Sequence, residues 1–496
     1  ILFIAGINFT NLTTSLIPLR LKTINTHRVL GCSIYKLQAI SLIESIVICL
    51  ISYILALFIV NDLSYTPIAN WVDADIRLSQ YKGLILLTGL IAILTGCLAG
   101  LYPAIRSTSY APALVLKGSF GLSPKGKKVR VALIGFQYTV SIALIIVTLF
   151  MGLQNHFMTS SEQLGFNKDQ VAIVNLTPEI YAKHKPQYIQ KLKDYPGIED
   201  VAFSVYELSK EDDMIDLEYA RHEDKDVFFK VFYASENFLS VMDIQVEEGR
   251  DFTREDLNKA QSDYIINPAA ERDFHLHPGD RFNDRTVLGV SKDFRFNSCR
   301  IASSPFVFAL NNDIPNPKLV SYIRFNSKTN LQEAVAHVRE TLKEIDPTFP
   351  FEISFYNTIL NNLYQKEQTL GKLISLFGIM AILISIVGVF GLVLFETQYR
   401  RKEIGIRKIN GATTGQILLM FNKTYIRIVS VCFIISIPIA WMGTQQWLEN
   451  FAYKTPLHLW VFIVAFLIIL SVTIGTVTFR NWQAANENPV NSVKSE

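Results

Sequence analysis

FGIMAILISIVGVFGLVLF, residues 377–395, runs nineteen residues without a charge, and its reading decides the fold. A helix needs about 20 mostly apolar residues to cross the hydrocarbon core of a bilayer. ALIIVTLFMGL (143–153) has the same character. Working outward, seven such stretches emerge, at roughly 1–19, 36–60, 83–103, 129–153, 370–395, 418–442 and 458–479. One polar block, 156–370, separates the fourth from the fifth. The pattern predicts a polytopic α-helical membrane protein with seven spans and one large domain inserted on a single side. Buried helices of a soluble protein would not supply so many runs of this length.

Charge sorts by segment. Residues 156–370 hold 24 Lys and Arg against 35 Asp and Glu, and the rest holds 23 against 9. The net charge of +3 therefore hides an acidic domain beside a basic membrane part. Short loops rich in Lys and Arg stay in the cytoplasm. Three loops qualify: Arg20, Lys22, Arg28 and Lys36; Arg106, Lys117, Lys125, Lys127, Lys128 and Arg130; and Arg400, Arg401, Lys402, Arg407 and Lys408. Seven alternating spans put all three on one face, with the C-terminal tail. The 61–82 loop, the large domain and the 443–457 loop then lie outside. Cys299 is the one cysteine of the external block, so no disulfide is available to it, and a core must hold it together.

The chain repeats itself in parallel sense. Shifted by 380 residues, RLKTINTHRVLGCS (20–33) falls on RRKEIGIRKINGAT (400–413). Arg20, Lys22, Ile24, Arg28 and Gly31 meet Arg400, Lys402, Ile404, Lys408 and Gly411. At a shift of 377, Pro112 and Lys117 meet Pro489 and Lys494. Two matches in the same order, with equal span spacing, indicate an internal duplication. By that repeat Ile1 falls on Ala381, inside the fifth span. A matching upstream span and external domain are therefore expected in the native protein, giving about 750 residues, eight spans and two external domains.

ETQYRRKEIGIRKINGATTGQI (396–417) resembles the signature of FtsX-like ABC permeases. GRDFTRED (249–256), YIINPAAERDF (264–274) and VLGVSKDFRFNSCR (287–300) resemble, in order and spacing, the periplasmic core domain of the MacB group. The whole chain is similar to the duplicated, eight-span permeases common in Bacteroidetes. The first copy departs from the signature, with Thr23 where the second has Glu403 and His27 where it has Arg407. The expected organisation is a first FtsX-like unit (1–117), a basic linker (118–130), a helix opening the second repeat (131–155), a MacB-like core domain with stalk ends (156–368), and a second FtsX-like unit with its tail (369–496).

Within the external block, 171–176, 201–207, 230–234, 264–268, 286–294, 305–310, 320–325 and 351–355 read as strands, short and β-branched or aromatic between turn residues. Residues 185–195 and 331–345 read as helices. Leu331, Val335, Val338, Leu342 and Ile345 form one apolar face, and Asp346-Pro347 ends it. Segments 154–165 and 357–369 are expected to carry the flanking spans outward as a stalk.

No catalytic constellation is present. Gly121-Leu-Ser-Pro-Lys-Gly126-Lys127-Lys128 mimics a phosphate loop, but Lys128 stands where Ser or Thr must bind magnesium. It reads as a basic linker. His275-Leu-His277 lacks a third ligand at a recognisable spacing, and Pro278-Gly279 marks a surface turn. Glu211, Asp212, Asp213 and Asp216 read as a solvated acidic loop, with a calcium site as the alternative. Glu44 lies near the cytoplasmic end of its span, where a carboxylate can anchor the preceding loop or take part in coupling. The middle of every span lacks the ionisable chain that a proton relay needs.

The resemblance implies a permease subunit without enzymatic activity or cofactor of its own. A separate cytoplasmic ABC ATPase binds ATP and docks on the coupling loop of Arg400, Arg401, Lys402, Glu403, Ile404, Ile406, Arg407, Lys408 and Gly411. The first-repeat loop of Arg20, Lys22, Arg28 and Gly31 would serve likewise. Glu403 distinguishes docking from simple lipid attraction, since an acidic residue gains nothing from anionic lipid. Motion would pass across the inner membrane to the periplasmic domain for export of a peptide, drug or lipoprotein. A periplasmic adaptor or outer-membrane channel is a further partner, and nucleic acid is not. The alternatives are an FtsX-like regulator of cell-wall hydrolases and an ATPase-independent membrane receptor.

Overall fold

The chain begins with three long helices: α1 (Leu2–Val29), α2 (Ile34–Leu63) and α3 (Lys82–Thr108). The computed structural model describes residues 1–66, 77–110, 124–160, 164–209, 216–259, 261–295, 298–310 and 319–486. The pairs Pro112/Lys117 and Pro489/Lys494, residues 121–123 of the lysine-rich stretch, and Glu211, Asp212 and Asp213 lie outside the described residues. Helix α4 (Pro124–Thr159) starts with a proline, whose missing N–H costs nothing in a first turn.

Contacts divide the chain into a membrane unit (1–152, 369–446 and 456–496) and a second unit (153–368 and 447–455). The second unit is a mixed α/β domain. Its elements are β1 (Val171–Leu176), α5 (Lys185–Lys193), β2 (Ile198–Ser204), β3 (Asp216–His222), β4 (Lys225–Ala234), α6 (Phe238–Met242), β5 (Val246–Gly249), β6 (Tyr264–Ile266), α7 (Pro268–Phe274), β7 (Arg281–Phe282), β8 (Arg285–Ser291), β9 (Phe306–Leu310), β10 (Leu319–Phe325), α8 (Leu331–Ile345), β11 (Ile353–Phe355) and α9 (Tyr356–Leu363). Among the described residues the strands form one sheet in the order β11-β1-β10-β2-β4-β9-β6-β8-β5, with β3 on β4 and β7 on β8. The pairs β4–β9 and β6–β8 are parallel and the others antiparallel.

Strand alternation explains how the sheet buries both faces. Ala172, Val174 and Leu176 of β1 meet Tyr188 and Leu192 of α5 and Ala334, Val338 and Leu342 of α8. Val171 and Ile173 point to the opposite face, with Phe232, Phe238, Phe306 and Phe308. Strand β9 sends Val307 and Ala309 into a third cluster with Tyr264, Phe274 and Phe282.

Three strands escape the sequence reading, β3, β5 and β7, and Asp216 opens β3 instead of belonging to a solvated loop. The expected stalk at 357–369 is also corrected. Helix α9 ends at Leu363, and Tyr364 interrupts the chain before α10 (Gln365–Tyr399). Tyr356, Leu360 and Tyr364 recur at four-residue steps and are buried in the domain core.

The membrane unit resumes with α10 and continues through α11 (Arg401–Ile409), α12 (Thr414–Leu448) and α13 (Leu459–Ala485). Six of the described helices, α2, α3, α4, α10, α12 and α13, are long and apolar enough to cross a membrane. The first expected span, 1–19, lies on α1, where Asn8, Thr10, Asn11, Thr13 and Thr14 dilute the apolar run. Two of those polar side chains join helices. Asn8 Nδ2 donates to the Ile384 carbonyl at 3.2 Å, and Thr10 Oγ1 to the Ala99 carbonyl at 2.9 Å. Gly96 and Gly100 let α3 approach α2, since a methyl at Gly100 would lie 2.6 Å from Ser45 Cβ. Small residues and single interhelical hydrogen bonds thus replace the hydrophobic drive that is missing inside lipid.

Candidate coupling site

The duplicated turns share their backbone geometry. Gly31 has φ +93° and Gly411 φ +85°, the left-handed region that glycine enters without a Cβ penalty. The Gly31 and Cys32 N–H groups donate to Arg28 and His27 carbonyls, and those of Gly411 and Ala412 to Lys408 and Arg407. Each pair closes a helix in a Schellman motif. Each turn then starts the next helix alike. Lys36 N–H donates to Ser33 Oγ at 3.3 Å, and Gln416 N–H to Thr413 Oγ1 at 3.3 Å. All these positions differ by 380, so the turn is repeated down to single hydrogen bonds.

The side chains are deployed differently. Arg20 Nη1 lies 2.7 Å from Glu44 Oε2, joining α1 to α2. Arg28 Nη1 donates to the Thr108 and Tyr110 carbonyls at 3.0 and 2.7 Å, capping the end of α3. That engagement is a structural use that spacing could not show. Lys22 is exposed. In the second copy Arg400 pairs with Glu396 at 3.0 Å, and Arg407 with Glu403 at 2.8 Å along α11. Glu403 therefore has a partner on its own helix. Ile404 is buried, whereas Ile406 and Ile409 are exposed. A two-residue step on a helix puts Ile404 and Ile406 on different faces. Arg401 and Lys402 lie on α11, in its first turn.

A second constellation fastens the outer loop 447–455 into the α/β unit. Gln154, near the end of α4, donates from Nε2 to the Tyr453 carbonyl at 3.1 Å. Its Oε1 accepts from Thr455 N–H at 2.8 Å. The Tyr453 N–H reaches the Cys299 carbonyl at 3.1 Å, and its hydroxyl accepts from Ser303 N–H at 3.0 Å. The Arg295 guanidinium stacks 4.0 Å over the Tyr453 ring, and that of Arg300 lies 4.9 Å over Phe451. Arg300 also pairs with buried Glu367 at 2.7 Å, at the start of α10. The Tyr364 hydroxyl accepts from Cys299 N–H at 3.1 Å, and burial pushes its pKa up. Arg295–Arg300 closes the stretch VLGVSKDFRFNSCR, whose last residues thus grip a loop about 150 residues away. Nothing local in the sequence announces this.

The stretch GRDFTRED also acquires a purpose. Buried Asp256 receives Arg250 Nη1 and Nη2 at 2.7 and 2.9 Å and the Thr253 N–H at 2.9 Å. Lys259 adds a contact at 3.1 Å. The Arg250 hydrogen bonds hold the Asp256 carboxyl far below the usual range, against the opposing effect of burial.

The FtsX-like permease C-terminal family matches residues 1–112 and 375–489, one segment for each copy of the repeat. The macrolide export ATP-binding/permease protein MacB of Aggregatibacter actinomycetemcomitans is 25% identical over 212 residues, 40% of this chain and 32% of that one. MacB of Neisseria gonorrhoeae is 25% identical over 223 residues, 42% of this chain and 34% of that one. The chain thus spans about a third of the length of these curated relatives. Among solved structures, the periplasmic region of MacB from Actinobacillus actinomycetemcomitans aligns at TM-score 0.30 and 15% identity, covering 40% of this chain and 94% of that one. The extracellular domain of the noncanonic ABC-type transporter YknZ from Gram-positive bacteria aligns at TM-score 0.28 and 16% identity, over 37% and 98%. Two matched permease segments thus flank an inserted α/β domain, and the chain is a multi-pass membrane protein similar to the FtsX-like permeases and, over part of its length, to MacB.

Proposed function

We propose that this chain is the membrane subunit of an ABC exporter that carries motion from a separate cytoplasmic ATPase to its periplasmic domain. Residues 1–117 and 369–496 act as equivalent membrane units, and the turns around Gly31 and Gly411 meet the ATPase. Arg407 and Glu403 meet it on α11, whose first turn also holds Arg401 and Lys402, while Arg20–Glu44 anchors the first-repeat turn. The cargo is a peptide, drug or lipoprotein, in keeping with the macrolide export for which the relatives are named.

One observation carries this reading: loop 447–455, between α12 and α13, belongs to the periplasmic unit. The chain passes between the two units four times, after residues 152, 368, 446 and 455. The ends of α4 and α10 and the α12–α13 loop are bound to one another through Gln154, Glu367, Arg300 and Tyr453. A displacement of any of these helices is thereby delivered to the same core.

The test is export by the full chain with its ATPase, with Gln154→Ala and Arg300→Ala combined. Export is expected to drop ~10-fold or more, by analogy with enzymes, where a ~1 Å misplacement caused far from the chemistry can cost about 100-fold. ATP hydrolysis should stay near wild type. Undiminished export would remove the clasp from the mechanism. Failure of any ATPase to associate with the intact chain would favour a receptor.

A further inference from the structure

Three ligand-type side chains of the periplasmic unit converge where the sequence offered only a pair. Glu248 on β5, Glu271 on α7 and His277 place their ligand atoms within 4.8 Å of one another. His277 Nδ1 lies 3.6 Å from Glu271 Oε1. The sequence suggested His275 and His277 together, and the fold separates them. His275 takes φ +54° as the left-handed cap of α7. His277 follows buried Leu276, and its N–H is held by Asp280 Oδ2 at 2.8 Å. A register shift between Val246 and Glu248 marks a bulge in the edge strand β5. Bulges of this kind re-aim side chains.

Two carboxylates at this separation repel one another, and among the described residues neither is paired with a lysine or arginine. The geometry points to a divalent metal site of the zinc class formed by Glu248, Glu271 and His277. A tetrahedral zinc with bonds near 2.0–2.2 Å holds its ligand atoms roughly 3.3–3.5 Å apart. The exposed ends of Glu248 and His277 can close to that distance by side-chain rotation. The imidazole disfavours calcium and magnesium, which prefer oxygen throughout. Water would complete the shell. The ion would neutralise the carboxylates and tie the edge strand β5 to α7.

The test is Zn²⁺ alone titrated into the chelator-treated full chain in detergent, followed by calorimetry and thermal unfolding. Wild type is expected to bind one equivalent and gain in melting temperature, by preferential binding to the folded state. His277→Ala and Glu248→Gln should each weaken binding ~10-fold or more, at least the loss seen when only a supporting residue of a metal site is removed. His275→Ala should bind as wild type does, and millimolar Mg²⁺ should not compete. The assignment is overturned if wild type fails to bind Zn²⁺, or if its binding survives in both ligand variants. Equal loss in His275→Ala and His277→Ala would overturn it too, moving the metal to the His-x-His pair.

Discussion

At the scale of single residues, Asp256 is a buried carboxylate held by several donors of the α/β domain. Its carboxylate accepts from Arg250, Thr253 and Lys259 while itself buried. Asp256→Asn leaves the shape but removes the charge that Arg250 grips. We expect a local loss of about 1.5–3 kcal/mol, the worth of a hydrogen bond to a charged group. Faster amide exchange across 249–259 would register it. The pH dependence has a definite direction. Because the folded carboxyl sits below its unfolded value of about 3.9, its contribution is complete above that value. It disappears as pH falls toward the folded value. Protection of 249–259 should therefore decline below ~pH 4 in wild type and vary less in Asp256→Asn. Equal pH profiles would mean that Asp256 is not the titrating group.

At the scale of elements, the two turns make the clearest test. Both glycines occupy left-handed backbone, with nothing within 4 Å of an added Cβ. Gly31→Ala and Gly411→Ala therefore introduce strain without a steric clash, about 1–2 kcal/mol each. Equal losses of helix protection on either side of each turn would show that the copies are equivalent. A loss confined to Gly411→Ala would show that the first turn is held by other means, with Arg28 on the Thr108 carbonyl the evident candidate. Element identity was largely legible in the sequence wherever apolar residues kept one period: β1, β10 and α8 match the expected ranges within a residue. Strand β3, DLEYARH, was hidden because among the described residues it pairs with β4 alone and leaves Leu217 and Tyr219 exposed, and charges interrupt its pattern. Strands β5 and β7 are too short to carry alternation. Tyr356, Leu360 and Tyr364 looked like a stalk because four-residue spacing is common to helices that end in water and helices that end in a core.

At the scale of the whole molecule, charge asymmetry places the α/β domain outside, and labelling can check it directly. Cys299 is a poor probe, being buried with its thiol pKa raised by that burial. Lys225, at the β3–β4 hairpin, and Lys22, on α1, are both exposed. In intact cells an impermeant thiol reagent should modify Lys225→Cys and spare Lys22→Cys, and the reverse pattern would invert the topology. The membrane helices and the two repeated turns were legible because they rest on local composition and on a repeat. The clasp on loop 447–455 and the Glu248–Glu271–His277 cluster were not, since both join residues that only the finished fold brings together. The clasp also sets an order of events during synthesis. Phe451 is part of the buried core shared by Phe232, Phe294 and Tyr364. The α/β domain has been made by residue 368, yet that core lacks Phe451 until 83 further residues, 369–451, have been made. At ribosomal speeds this is an interval of ~4–17 s, in which part of an aromatic core stands uncovered.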